Sequence, residues 1–111
     1  MVTKTIPNEP YEELNGVYED YYENGQLESK RTYKNDVLDG VWEEYKNGRL
    51  KFKTTYKKGL RDGVSEDYDK NGRLETKRTY KNDVLDGVYE EYKNGRLKFK
   101  TTYKNGEIIY D

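Results

Sequence analysis

The chain has 111 residues, enough for one small domain. Its 21 Lys and Arg balance 22 Asp and Glu, so it lacks the basic excess that a general nucleic-acid binder or a membrane-surface binder needs. It has no Cys and no His, which removes disulfides, thiolate metal sites and the commonest general base and metal ligand. No apolar run reaches the length of a membrane span or a signal peptide. These observations predict a cytoplasmic protein without cofactor or bound metal.

Residues 1–15 form a lead-in. Both prolines, Pro7 and Pro10, lie there. Neither can donate to a sheet ladder, so the segment reads as a tail or an edge cap. Tyr11 and Leu14 are the residues that would fold back over the first repeat.

Residues 16–111 form one repeat domain. Four units begin at Gly16, Gly40, Gly63 and Gly87, spanning 16–39, 40–62, 63–86 and 87–111. Residues 16–62 match 63–109 at 37 of 47 positions, and such a short fixed period marks a repeat architecture. Each unit reads as a β-hairpin. In the second, Leu50, Phe52, Thr54 and Tyr56 alternate with Lys51, Lys53, Thr55 and Lys57.

Asn47-Gly48 and Asn94-Gly95 suit two-residue type I′ turns. The longer units have one residue more. A three-residue loop with a left-handed Gly absorbs it at Glu23-Asn24-Gly25 and Lys70-Asn71-Gly72, and keeps Tyr21 opposite Leu27 and Tyr68 opposite Leu74. Further along, this register sets Val17 opposite Arg31, Glu19 opposite Ser29, Val41 opposite Thr54 and Glu43 opposite Phe52. One face then carries four rows predicted to be buried: Val17/41/64/88, Tyr21/45/68/92, Leu27/50/74/97 and Tyr33/56/80/103. Asn35-Asp36, Lys58-Gly59 and Asn82-Asp83 are placed between hairpins, and Asp39-Gly40, Asp62-Gly63 and Asp86-Gly87 are read as turns into the next unit. The fold class is all-β: a single-layer antiparallel sheet of about eight strands. Leu, Ile, Val and Phe make up only 20 of 111 residues, so a thin sheet leaning on 13 Tyr suits the composition better than a deep core.

The pattern G-x-W/Y-x-x-Y, then N-G-x-L, then T-Y-K-N-G resembles the MORN repeat. It is carried by Trp42 and Tyr45, by Asn47-Gly48-Arg49-Leu50 and by Thr55-Tyr56-Lys57, and is echoed in every unit. It is most similar to the MORN-repeat variant of small bacterial proteins. That resemblance implies an elongated sheet of hairpins and an immunity or antitoxin protein that binds and silences a bacterial toxin. Other MORN proteins act as scaffolds or have been linked to phospholipids. Ser65 departs from the pattern where Tyr18, Trp42 and Tyr89 are aromatic, and Asp36 and Asp83 stand where Gly is usual.

The face opposite the four rows is predicted to carry the partner-binding residues: Tyr18, Tyr22, Trp42 and Tyr89, a lysine row at Lys30, Lys53, Lys77 and Lys100, and an acidic row at Asp20, Glu44, Asp67 and Glu91. Aromatics among charges are the usual chemistry of interface anchors, with Trp42 foremost. The bland alternative is a pair of solvated charge ladders. Glu19, Glu43, Glu66 and Glu90 stack on the spine face as candidate coupled carboxylates, yet no nucleophile accompanies them, so no catalytic residue is assigned. The expected partner is a protein, not nucleic acid or membrane. Self-assembly into a homodimer or scaffold through open sheet edges is the alternative.

Overall fold

A computed structural model describes residues 3–4 and 12–110. Pro7, Pro10 and Tyr11 lie outside the described residues. Eleven strands form one sheet: β1 (Thr3–Lys4), β2 (Gly16–Tyr21), β3 (Leu27–Lys34), β4 (Val37–Lys46), β5 (Arg49–Lys57), β6 (Leu60–Arg61), β7 (Gly63–Tyr68), β8 (Leu74–Lys81), β9 (Val84–Lys93), β10 (Arg96–Lys104) and β11 (Glu107–Ile108). They lie side by side in chain order, with the short β6 pairing only with β5. All pairs are antiparallel except β1 with β2, which is parallel. No helix occurs among the described residues. The sheet measures 54 × 31 × 20 Å.

The turns follow their residues. Asn47 and Gly48 both adopt positive φ, 53° and 75°, and join Lys46 to Arg49 as a two-residue turn. The longer units form the expected three-residue loops. Gly25 is left-handed at φ 89°, and the Tyr22 amide donates to the Gln26 carbonyl across Glu23-Asn24-Gly25. Tyr21 then pairs with Leu27, and Tyr68 with Leu74.

The register beyond those pairs differs from the one predicted. Each hairpin contains a second irregularity just past Leu27, Leu50, Leu74 or Leu97. Glu28, Lys51, Glu75 or Lys98 is skipped by the pairing there, and everything beyond slides by one residue. Val17 therefore faces Thr32, Glu19 faces Lys30, Val41 faces Thr55 and Glu43 faces Lys53. A one-residue slip moves side chains to the other face. The Tyr33/56/80/103 row consequently leaves the Val, Tyr and Leu rows.

A second correction concerns the reversals between hairpins. They occur at Asn35-Asp36, Lys58-Gly59, Asn82-Asp83 and Asn105-Gly106, all at positive φ. Asp39-Gly40 lies inside β4 and Asp86-Gly87 inside β9, where the register shifts without reversing the chain. These are bulges that bend a continuing strand. The unit starts at Gly40 and Gly87 thus fall within strands.

Each reversal also reaches back to the preceding hairpin. The amides of Asp36, Gly59, Asp83 and Gly106 donate to the carbonyls of Leu14, Leu38, Arg61 and Leu85. Leu14 does fold back on the first unit, where its own amide donates to Asp36 Oδ1 at 2.7 Å. Asp83 repeats this clasp through Arg61 Nε at 2.5 Å. The two aspartates that depart from the glycine pattern each hold the chain about one unit behind them.

The four predicted rows are not the buried core. Tyr21 and Leu97 are each 53% exposed and Val64 39%, because nothing packs on a single layer. Among the described residues, the buried ones are Val17, Tyr18, Ser29, Thr54 and Ser65. Four of these five lie on the other face, where side chains pack against one another across the strands.

Candidate functional site

The slipped register produces two chemically distinct faces. The first is aromatic. Its central row crosses the sheet as Tyr18, Arg31, Trp42, Thr54, Ser65, Arg78, Tyr89 and Thr101. One flanking row is Asp20, Ser29, Glu44, Phe52, Asp67, Thr76, Glu91 and Phe99. The other holds Tyr33, Tyr56, Tyr80 and Tyr103.

Arginines organise this face. Arg31 Nη2 sits 2.7 Å from Asp20 Oδ2, and the guanidinium lies 5.7 Å from the Trp42 ring and 5.9 Å from that of Tyr33. Arg78 repeats the arrangement with Asp67 at 3.3 Å and the Tyr89 ring at 6.0 Å. Arg61, clasped by Asp83, lies 4.1 Å over Tyr80. Rings also meet rings: Trp42 with Tyr56 at 5.8 Å, Tyr18 with Tyr33 at 5.7 Å and Tyr89 with Tyr103 at 5.7 Å. Each such cation–π contact contributes about 0.5–1 kcal/mol where exposed. Trp42 Nε1 and Arg31 Nε are buried without a hydrogen-bond partner.

Ser65 interrupts the aromatic series, and its neighbour accounts for it. Its hydroxyl is hydrogen-bonded to that of Thr54, and both side chains are buried. Two short hydroxyl side chains meet at mid-sheet, where a second ring would have to displace this pair.

The second face carries a charge ladder. Glu19, Lys30, Glu43, Lys53, Glu66, Lys77, Glu90 and Lys100 alternate in sign from strand to strand. Tyr21, Tyr45, Tyr68 and Tyr92 each donate a hydroxyl hydrogen bond to the glutamate two residues earlier, at 2.8–3.2 Å. These contacts raise the tyrosine pKa values. Hydrogen bonding to glutamate is the main cause at Tyr21 and Tyr92, and burial at Tyr45 and Tyr68. A lysine strand separates each glutamate from the next, so they stand two strand spacings apart, about 9.5 Å. That spacing removes the geometric basis for a coupled carboxylate pair. The bland reading of these glutamates, diagonal ion pairs Glu19–Arg31 and Glu66–Arg78, is corrected too: Glu19 faces Lys30 and Glu66 faces Lys77, while Arg31 and Arg78 bind Asp20 and Asp67 on the other face.

The predicted site residues are therefore divided. Trp42, Tyr89, Glu44 and Asp67 share the aromatic face. Tyr18 is on that face but only 4% exposed; its hydroxyl accepts the Asn15 amide at 3.0 Å. Tyr22 lies at the turn edge, where its hydroxyl donates to the Tyr45 carbonyl at 2.8 Å. Lys30, Lys53 and Lys77 lie on the opposite face, in the ladder. The sequence reading missed Arg31, Arg61 and Arg78 as organisers of the aromatic face. Glu-x-Tyr and Arg-x-Tyr pairs two residues apart were the available signal, since i and i+2 share a face.

These features define an open, single-layer β-hairpin repeat protein with two unlike faces. Residues 14–35, 61–82 and 85–105 match the MORN repeat variant, together more than half of the chain, and the chain belongs to that family. It is a repeat type without catalytic chemistry of its own. No curated protein and no solved structure matches the chain. No helix among the described residues is long and apolar enough to cross a membrane.

Proposed function

We propose that the chain is a non-enzymatic protein-binding module, and that it acts in the cytoplasm as an immunity protein occluding a bacterial toxin. The observation that carries this reading is the cluster of Arg31, Trp42, Tyr33 and Tyr56. Its rings are held by guanidinium and ring contacts before any partner arrives, so little side-chain freedom is lost on binding. Trp, Tyr and Arg are also the residues that dominate interface energetics. In this reading Trp42 is the anchor, Glu44 flanks it on the same strand, and Asp67 and Tyr89 extend the contact across the sheet. Tyr18 supports the cluster edge-on through Tyr33. Lys30, Lys53 and Lys77 stay outside a contact made with this face. The immunity assignment is supported by resemblance to the MORN-repeat variant of small bacterial proteins.

The test is co-expression with candidate toxin domains, read by growth rescue and by stoichiometric co-purification. Trp42→Ala should weaken the complex by about 2 kcal/mol or more, with the β-sheet circular dichroism retained. Glu44→Lys, a change at the rim, should weaken it without touching the ring cluster. Full affinity in both folded variants would remove the aromatic face as the contact. Rescue of no toxin, with only the bait recovered, would remove the immunity role.

A further inference from the structure

We propose that Glu44 and the Trp42 ring form a site that takes an arginine side chain of a partner protein, an assignment that rests on the aromatic face being the protein contact.

Every unit of the repeat carries a carboxylate in the flanking row of this face: Asp20, Glu44, Asp67 and Glu91. In the long units the next strand supplies an arginine to it. Arg31 on β3 reaches Asp20 on β2 at 2.7 Å, and Arg78 on β8 reaches Asp67 on β7 at 3.3 Å. A hydroxyl completes each pair, donated by Ser29 to Asp20 and by Thr76 to Asp67. In the short units threonine holds the arginine position, as Thr54 and Thr101, and phenylalanine holds the hydroxyl position, as Phe52 and Phe99. Neither brings a positive charge, and phenylalanine brings no donor.

The two short units then diverge. Tyr89 donates its hydroxyl to Glu91 Oε2 at 2.8 Å. Trp42 stands at the equivalent position and has no hydroxyl. Its single donor, Nε1, is buried without a hydrogen-bond partner, so it does not serve Glu44. Glu44 is left as the carboxylate of this row with no hydrogen-bond or ion-pair partner among the described residues. Its charge is felt by Tyr56, whose hydroxyl pKa is raised by burial first and by Asp83 and Glu44 after it, against an opposing Arg61. Trp42 and Glu44 are both half-buried and still present surface.

The group missing at Glu44 is the one its counterparts receive from the chain. Arg31 shows the arrangement, with its guanidinium paired to Asp20 and 5.7 Å from the same Trp42 ring. A guanidinium lies flat on indole and offers a carboxylate a fork of N–H donors, which an ammonium does not. The chain has no spare arginine on this face to fill the place. Arg31, Arg61 and Arg78 are each held by an aspartate, and the lysine ladder lies on the other face. Uncompensated negative charge beside Trp42 selects a basic partner side chain and disfavours an acidic one.

Trp42 is the single tryptophan of the chain, so its indole N–H reports on this site alone. The full chain, labelled with nitrogen-15, is titrated with acetyl-Gly-Arg-Gly-amide. The indole signal and the amides of residues 42–45 should shift together. The citrulline peptide, similar in shape but uncharged, should bind about fivefold more weakly, and the lysine peptide more weakly than the arginine one. Glu44→Gln should weaken arginine binding about threefold. Two ring variants, their fold checked by circular dichroism and their binding read from the amides, isolate the carboxylate. Trp42→Phe leaves Glu44 free, whereas Trp42→Tyr supplies the hydroxyl that Tyr89 gives Glu91. Trp42→Tyr should therefore bind the arginine peptide more weakly than Trp42→Phe. Equal binding of the three peptides, undiminished binding in Glu44→Gln, equal binding by the two ring variants, or no shift at the highest soluble peptide concentration would each overturn the site. The titration contains no toxin. Its failure removes the arginine site and leaves the immunity reading standing, whereas failed growth rescue removes the immunity role and leaves the site.

Discussion

Ser65 and Thr54 show how a single residue can set a local environment in a sheet this thin. Their hydroxyls are paired and buried, so removing one leaves the other unsatisfied. Ser65→Ala should destabilise the fold by about 1–3 kcal/mol. Thr54→Val combined with Ser65→Ala should recover part of that loss, because both polar groups then go together. Chemical denaturation of the two variants gives the comparison. Titration makes a second prediction at this scale. The Arg61 hydrogen bond holds the Asp83 carboxyl below its ordinary value of 3.8, and the Arg73 and Asn71 amides do the same for Asp69. A depressed carboxyl stabilises the fold above that value and loses its contribution as pH falls through the lower folded value. Stability should therefore decline below pH 3.8, and Asp83→Asn should make the decline shallower. The tyrosines act in the opposite sense. Their pKa values are raised above 10.0, so their contribution is complete below about pH 10 and disappears as pH rises through the folded values. A combined absorbance and unfolding titration at alkaline pH measures that loss.

At the scale of the element, bulges matter more than strands. Hairpin positions were legible because Asn-Gly turns and Tyr–Leu pairs are local signals. The extra residue in each long unit was legible for the same reason, since a register slip at the turn would split Tyr21 from Leu27. The second irregularity, at Glu28, Lys51, Glu75 and Lys98, had no such signal. Glu and Lys are ordinary surface residues, and nothing in their own chemistry marks a bulge. That one unseen residue per hairpin moved Arg31 and Tyr33 beside Tyr18 and Trp42, and separated the lysines from them. Gly40 gives this scale its test. It adopts φ +122°, and a Cβ there would approach the Thr32 side chain to 2.9 Å. Gly16 has φ +98° with open space around it. Both alanine variants carry backbone strain of about 1–3 kcal/mol. Gly40→Ala should cost measurably more in chemical denaturation, since the clash adds to the strain.

The whole molecule behaves as a one-dimensional stack. Each strand pairs with its neighbours in the sheet and the turns reach only about one unit away, so stability is close to a sum of local and nearest-neighbour terms. Identical sequences should then differ in protection according to what lies beside them. Amides of Arg96–Thr102 in β10 should exchange with solvent faster than those of Arg49–Thr55 in β5, because among the described residues β7 covers the outer edge of β5 and no strand covers that stretch of β10. Equal protection in the two strands would mean that the sheet unfolds as one unit or that β10 is covered in solution.

Period, hairpin count, turn types and the absence of helix were determined by sequence alone, because each depends on residues within a few positions of one another. The same holds for the alternation of charged and aromatic positions along each strand. Which strand neighbours share a face was decided only in the assembled sheet. Facing depends on the summed register of every bulge and corner between two residues, and one skipped residue inverts it. Burial was decided there too: in a single layer a side chain is covered only by the neighbours that the register brings against it. Thr54 is hidden between Trp42 and Ser65 on the aromatic face, while Leu97 and Tyr21 face solvent on the other.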